Sequence, residues 1–270
     1  MLYQYFDAQL GPLVASLSWS IVVGVISFVL VYKTRLFNHL LVAPLVPPFL
    51  ALPAIMFAFL MGFMSAEAWQ NFSQARSSLV NEASALSRLI NLPVQPPEYQ
   101  VRSTALLKTY LQTSLNDEWE GRHNQASSAN ASNLINQLEA NVWDARKHCV
   151  QGAALVTCMD SIATTAFIKG IDDLRNAREQ RLSLGYELGI NYKWALVIFL
   201  AFVSALSVAA VHRQDQKTGA IALTLFCLSL WVAFSMVSLH INPYKWRQTV
   251  VPTPLVNLLE TLNHSPHSGR

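Results

Sequence analysis

The chain predicts an all-α membrane protein, with four transmembrane helices and an antiparallel helical-bundle aqueous domain between the second and third. Three observations carry this. Four stretches, Leu13 to Tyr32, Leu40 to Ala66, Trp194 to Val211 and Gly219 to Leu239, contain no Asp, Glu, Lys or Arg. At about 1.5 Å rise per residue they have the length that crosses a hydrocarbon core of roughly 30 Å. Most of the charged residues lie between the second and third stretches, and that middle shows neither an alternating strand pattern nor an Asn-Gly turn. With 52% hydrophobic and 13% charged residues, the composition is too apolar for an ordinary water-soluble chain of 270 residues.

The first span (13–32) follows a segment that carries Asp7 and no Lys or Arg. No basic region precedes it and no small-residue cleavage site follows, so it is expected to stay in the mature protein rather than act as a signal peptide. The second (40–66) holds Pro44, Pro47, Pro48 and Pro53. So many missing N–H groups predict an irregular or re-entrant first part. From Ala54 on, Ile55, Phe59 and Phe63 recur at i, i+4 and i+8, with Ser65 at the exit and the small Ala58 and Gly62 on another face. Two readings stay open for this stripe: a hydrophobic constriction facing a central axis, or packing against lipid or a neighbouring helix.

Residues 65–90 lack Pro and Gly and keep a heptad-like rhythm through Trp69, Phe72, Leu79, Ala83, Leu86 and Ile90, so the helix is expected to continue into water. Pro93, Pro96 and Pro97 end it. Further helices are expected over about 98–118, 127–147 and 159–188, the last leading into the third span (194–211). Short polar turns between them predict an antiparallel bundle. The expected organisation is a first membrane pair (1–66), an extramembrane four-helix domain (67–192), a second membrane pair (193–240, with the fourth span at 219–239) and a C-terminal tail (241–270), frayed from His264. Cys149 and Cys158 flank a short turn. They are either a disulfide in an oxidising compartment or two unrelated thiols, and Cys227 lies inside the fourth span.

The loop after the first span carries Lys33, Arg35 and His39, and that after the third reads His212-Arg213-Gln214-Asp215-Gln216-Lys217. The positive-inside rule weights such short loops and sends both to the cytoplasm, which leaves the large domain and both termini extracytoplasmic, while Lys245, Arg247 and the Arg178, Arg181 and Lys193 set near the third span pull the other way.

No P-loop, dinucleotide glycine fingerprint, Gly-x-Ser-x-Gly elbow or His-Glu-x-x-His occurs. Enzyme function is therefore not expected, nor a cofactor. His148 with Cys149 lacks the second pair that a closed metal site needs. A net charge of +3 without a Lys/Arg run argues against nucleic acid. No formal charge lies within a span, which disfavours proton-coupled transport. A passive pore is less demanding, but one chain with four spans is too thin to enclose it, so a channel here would be a ring of copies.

Several residues in order resemble the bestrophin-like membrane proteins, a bacterial group of four-span proteins distantly related to bestrophin chloride channels. They are Phe57-Ala58-Phe59, Trp69, Ala75, Glu82-Ala83 and Leu86, then Tyr110 and Glu118-Trp119, Arg178-Glu179-Gln180-Arg181-Leu182, and Trp194. The family's Asp before Pro-Phe is missing, since the chain reads Ile241-Asn242-Pro243-Tyr244-Lys245-Trp246. The resemblance implies a multi-pass protein of the bacterial inner membrane, a homo-oligomer such as a pentameric ring, and conduction of small inorganic ions, anions rather than cations. It also implies a cytoplasmic large domain, against the loop charges, which are given the greater weight. Glu82 would pair with Arg178 or Arg181 across the bundle as an exposed ion pair, or the two arginines would form a cationic vestibule. Trp119 and Trp194 are expected as packing and interface anchors. The alternative function is a non-conducting envelope sensor or interaction protein that binds a ligand or partner through its helical domain.

Overall fold

The computed structural model describes residues 2–34, 47–151, 161–186, 191–240, 243–244 and 250–264. Among them all regular structure is helical. Contacts divide the chain into two units: Met1–Phe72 with Leu188–Asn242, and Ser73–Glu187 with Pro243–Arg270.

The first unit contains α1 (Leu2–Phe28), prolonged by π-helical turns over Val29–Lys33, then the start of α2 (Pro47–Asn91), α6 (Asn191–Val211) and α7 (Gln216–His240). Four stretches, Leu13–Lys33, Ala51–Asn91, Tyr192–Val211 and Gln216–His240, are long and apolar enough to cross a membrane. An irregular first part was expected in the second, but from Pro47 on the chain is helical, and 40–46 lie outside the described residues. Pro47 and Pro48 occupy the first turn, where an N–H has no intrahelical partner to lose, and only Pro53 lies inside the helix. Pro44 lies outside the described residues.

α1 and α7 pack antiparallel in a single register. The Ser16 and Ser235 hydroxyls are 2.7 Å apart, Gly24 faces Cys227, and Tyr32 lies over Gly219. A Cβ on Gly219 would lie 1.7 Å from the Tyr32 hydroxyl oxygen, so this approach requires glycine. That hydroxyl donates to the carbonyls of Ala209 and His212, at 3.2 Å each, and ties α1 to the end of α6. Phe57, Met61 and Met64 of α2 close the core against Ala201 and Ala205 of α6 and Leu230 and Phe234 of α7. Apolar side chains in lipid have no water to escape, so close fit of small residues and ring edges holds these helices. Trp194 packs edge-on against Phe234 at 6.0 Å.

The second unit contains the rest of α2, α3 (Pro97–Thr113) with π-helical turns over Ser114–Gly121, α4 (Ala129–Gln151), α5 (Ser161–Gly185) and α8 (Thr253–His264). Successive helices run antiparallel. Asn141 of α4 donates to the Tyr99 carbonyl and the Ser103 hydroxyl at the start of α3, whereas Ser128, just before α4, reaches Glu118 beyond its end. The inward face of α2 is Ala75, Leu79, Glu82, Leu86 and Leu89, all buried. Of the expected heptad positions, Leu79 and Leu86 lie on this face, whereas Trp69 is exposed and Phe72, Ala83 and Ile90 are half-buried. The C-terminal segment, expected as a tail, forms α8 and packs on α3, with Leu255 fully buried.

Candidate functional site

Two features draw on the residues singled out from the sequence: a charge network inside the helical unit and an exposed aromatic face on α2 in the membrane unit. The network begins with Glu82, which occupies a core position of α2 between Leu79 and Leu86 and is wholly buried. α5 repeats the pattern. Phe167, Ile171, Leu174, Arg178, Arg181 and Gly185 follow one helical stripe, with Arg178 and Arg181 in places that apolar residues would ordinarily fill.

Arg181 is fully buried and donates to both oxygens of Glu82, from Nε to Oε2 at 2.7 Å and from Nη2 to Oε1 at 3.1 Å. Its Nη2 also donates to Glu118 Oε2 at 2.8 Å and to the Ser114 hydroxyl at 3.1 Å, and its Nη1 to Asn124 Oδ1. The guanidinium stands over the Trp119 ring, 5.3 Å from its centroid. Arg178 Nε donates to Glu118 Oε1 at 3.1 Å, and its other nitrogens reach the Ser132 hydroxyl and the Ser128 carbonyl. The Tyr110 hydroxyl donates to Glu82 Oε1 at 2.8 Å.

Local backbone geometry makes this convergence reachable. The π-helical turns of Ser114–Gly121 widen the helix so that Ser114, Glu118 and Trp119 all face inward. Asn124 then takes a left-handed conformation, with φ of 58°, that an asparagine tolerates. Its N–H donates to the Glu118 carbonyl at 2.7 Å. A Cβ on Gly185 would lie 2.0 Å from the Asn124 carbonyl oxygen, so only glycine lets α5 pass this turn. The Ser128 N–H, just before α4, donates to Glu118 at 2.8 Å. The Trp119 Nε1 and Asn124 Nδ2 donors are buried without a partner among the described residues.

Two carboxylates and two guanidiniums cancel in formal charge. Burial alone would raise Glu118, but the Arg178 hydrogen bonds, the Arg181 charge and the Ser128 N–H outweigh it and hold the carboxyl below the usual carboxylate range. Arg181 loses by burial and gains more from Glu82, so its cation is held more firmly than an ordinary arginine's. Burial, then the Glu82 charge, pushes the Tyr110 phenol well above its ordinary value. Burial likewise pushes Tyr244, stacked edge-on against Trp119 at 5.4 Å, up to about 12.

Glu82, Arg178 and Arg181, expected as an exposed pair or a vestibule, are buried. Glu82 pairs with Arg181 and Arg178 with Glu118, all away from water, so the arginines present no cationic vestibule within the chain. Glu118, Asn124 and Ser128 were not recognised as partners. The available signal was a carboxylate on the apolar stripe of α2 facing two arginines one turn apart on the apolar stripe of α5.

On α2 in the membrane unit, Ile55, Phe59 and Phe63 are 58%, 66% and 61% exposed, while Phe57, Met61 and Met64 on the other side are buried. The Phe59 and Phe63 rings meet edge to face at 4.9 Å. Ser65 is exposed as well. Cys158 lies outside the described residues, as does the side chain of Cys149, so their pairing is not described. No group of three or more His, Cys, Asp or Glu suited to a metal ion occurs among the described residues.

No curated protein matches the chain. Solved structures do. A bacterial bestrophin homologue from Klebsiella pneumoniae, solved by zinc phasing, aligns with a TM-score of 0.67 at 14% identity, covering 94% of this chain and 99% of that chain. A single-residue variant of the Klebsiella pneumoniae homologue gives 0.67 at 13% identity, covering 93% and 97%. At such identities the likeness shows the fold. The Bestrophin-like domain model matches residues 14–255, nearly the whole sequence, and the chain belongs to the Bestrophin-like family.

Proposed function

We propose that the chain assembles into a homo-oligomeric ring in the bacterial inner membrane and conducts small inorganic ions, anions in preference to cations, along an axis lined by α2. The observation that carries this reading is the division of α2 into two faces. Phe57, Met61 and Met64 are spent on the core of their own chain, while Ile55, Phe59 and Phe63 are left uncovered at the same depth. In a ring these three would form stacked apolar collars that gate by dewetting, with Ser65 offering a hydroxyl at the exit. Membership in the Bestrophin-like family supports this arrangement. For the anion preference, a phenyl edge carries the positive part of the ring quadrupole, so Phe59 and Phe63 suit an anion where they present edges to the axis.

For the orientation, the short basic loops are assigned to the cytoplasm and the helical unit to the other side. The buried, neutralised Arg178 and Arg181 do not count against it, and Lys193 is paired with Glu67 at 2.7 Å. Planar-bilayer recording tests the channel. Replacing Phe59 and Phe63 together by Ala should raise unitary conductance, and equal currents, or none from either protein, would reject the pore assignment.

A further inference from the structure

A groove of about 830 Å³ opens on the side of the membrane unit between α1 and α6, with α7 as its floor. We propose that it holds one acyl chain of a bilayer phospholipid. The site is separate from the α2 face and does not rest on the channel reading.

The walls are Trp19, Val22 and Ile26 of α1 and Trp194, Ile198 and Phe202 of α6, and the floor is Phe234. Both α1 and α6 run antiparallel to α7, so they run parallel to each other. Ser16 lies beside Ser235, Trp194 beside Phe234, and Tyr32 beside both Gly219 and the Ala209 carbonyl. The groove is therefore a cleft that closes at one end. Tyr32 bridges α1 to α6 beyond its inner limit. Its outer end carries Ser16 and Ser238 and lies beside the Lys193–Glu67 ion pair, the kind of group that sits where water begins.

Length selects the occupant. From Ala15 to Ile26 the α1 wall rises about 16 Å, close to half of a hydrocarbon core of roughly 30 Å. The lining ends short of the place where Tyr32 ties α1 to α6, so the groove does not run the whole span that a transmembrane helix crosses. A chain from one leaflet ends where this groove ends. The mouth offers indole rings, which favour the headgroup level, and the Ser238 side chain. The adjoining ammonium of Lys193 is held by both Glu67 oxygens at 2.7 Å, so an anionic headgroup gains no free cation from it.

Native mass spectrometry of the full chain, released from vesicles of dioleoylphosphatidylcholine, tests the assignment. One phosphatidylcholine should stay bound per chain, and dioleoylphosphatidylglycerol should replace it to the same extent. Val22→Trp and Ala195→Phe fill the cleft from opposite walls, and either variant that keeps the wild-type unfolding temperature should lose that lipid. Phe59→Ala, on the other face, should retain it. An unsaturable ladder of lipids, unchanged retention in a folded filled variant, a small apolar compound in place of phospholipid, or disulfide-linked copies formed through Trp19→Cys would each overturn the proposal. If neither filled variant folds, saturation of the wild-type chain at one lipid decides it.

Discussion

The two units solve the same problem, fixing helices side by side, with opposite chemistry. In the membrane unit the buried polar groups are hydroxyls. Ser20, Ser204 and Ser207 return their protons to carbonyls of their own helices, and the less exposed hydrogen bonds that cross between helices, Ser16 with Ser235, Tyr32 with the Ala209 and His212 carbonyls and Trp231 with the Leu13 carbonyl, carry no charge. In the helical unit the core holds two arginines and two carboxylates whose partners come from α2, α3 with its π-helical turns, and α5. The difference follows from the alternative open to each helix. A transmembrane helix without its neighbour still sits in lipid, so uncompensated charge would be costly throughout assembly. A bundle helix without its neighbour sits in water, where Glu82 and Arg181 are well solvated. Burying them is tolerable only when every partner arrives together, which ties their contribution to one register.

The largest predicted effect comes from breaking that set on one side. Arg181→Ala leaves Glu82 and Glu118 buried without their shared cation and should cost the helical unit about 3–5 kcal/mol. Chemical denaturation followed by tryptophan fluorescence, to which the buried Trp119 contributes, would report it. An unchanged midpoint would mean that the pairs are solvated in the protein.

Packing contrasts come next. Gly185→Ala drives a methyl into the Asn124 backbone and Gly219→Ala drives one into the Tyr32 hydroxyl. Each should destabilise by about 1–3 kcal/mol. Because Tyr32 can swing away at the loss of two hydrogen bonds whereas the Asn124 backbone cannot, Gly185→Ala should be the worse of the two in thermal unfolding.

The response to pH sharpens the comparison further. The Glu118 carboxyl is depressed in the folded state, so its contribution is complete above the unfolded value of about 4.3 and is lost as pH falls through the lower folded value. Tyr110 is raised, so its contribution is complete below about 10 and is lost as pH climbs through the higher folded value. Unfolding monitored against pH should show the helical unit failing at both limits. Glu118→Gln should flatten the acid limb and Tyr110→Phe the alkaline limb, each from a lower plateau.

The smallest effect belongs to the surface. Arg88 and Asp173 meet at 3.3 Å between exposed side chains, and Arg88→Ala should change stability by less than about 1 kcal/mol. Set beside Arg181→Ala, it measures what burial adds to an arginine–carboxylate pair.

Much of the architecture was legible from uncharged length. The four spans announce themselves because hydrocarbon admits no ionised side chain cheaply, and Pro97 and Gly121 punctuate the bundle where expected. The start of the second span was less legible, because prolines in a first turn and prolines in a helix interior look alike in sequence. α8 was missed since a twelve-residue helix whose burial depends largely on Leu255 has a weak pattern of its own. The charge network was half legible. Glu82, Arg178 and Arg181 could be picked out, but charge at helical spacing ordinarily marks a solvated face, and the inward placement of Glu118 depends on a π-helical widening that residue spacing does not encode. The stripe of Ile55, Phe59 and Phe63 was visible at once because bulky residues repeat at helical spacing, and all three are exposed.

Cryo-electron microscopy of the protein in nanodiscs tests the central claim most directly. The account predicts a closed ring of identical chains in which Ile55, Phe59 and Phe63 of every copy face the axis and form its narrowest part. A monomer or dimer without an axial path, or a ring whose α2 stripes face lipid, would contradict it.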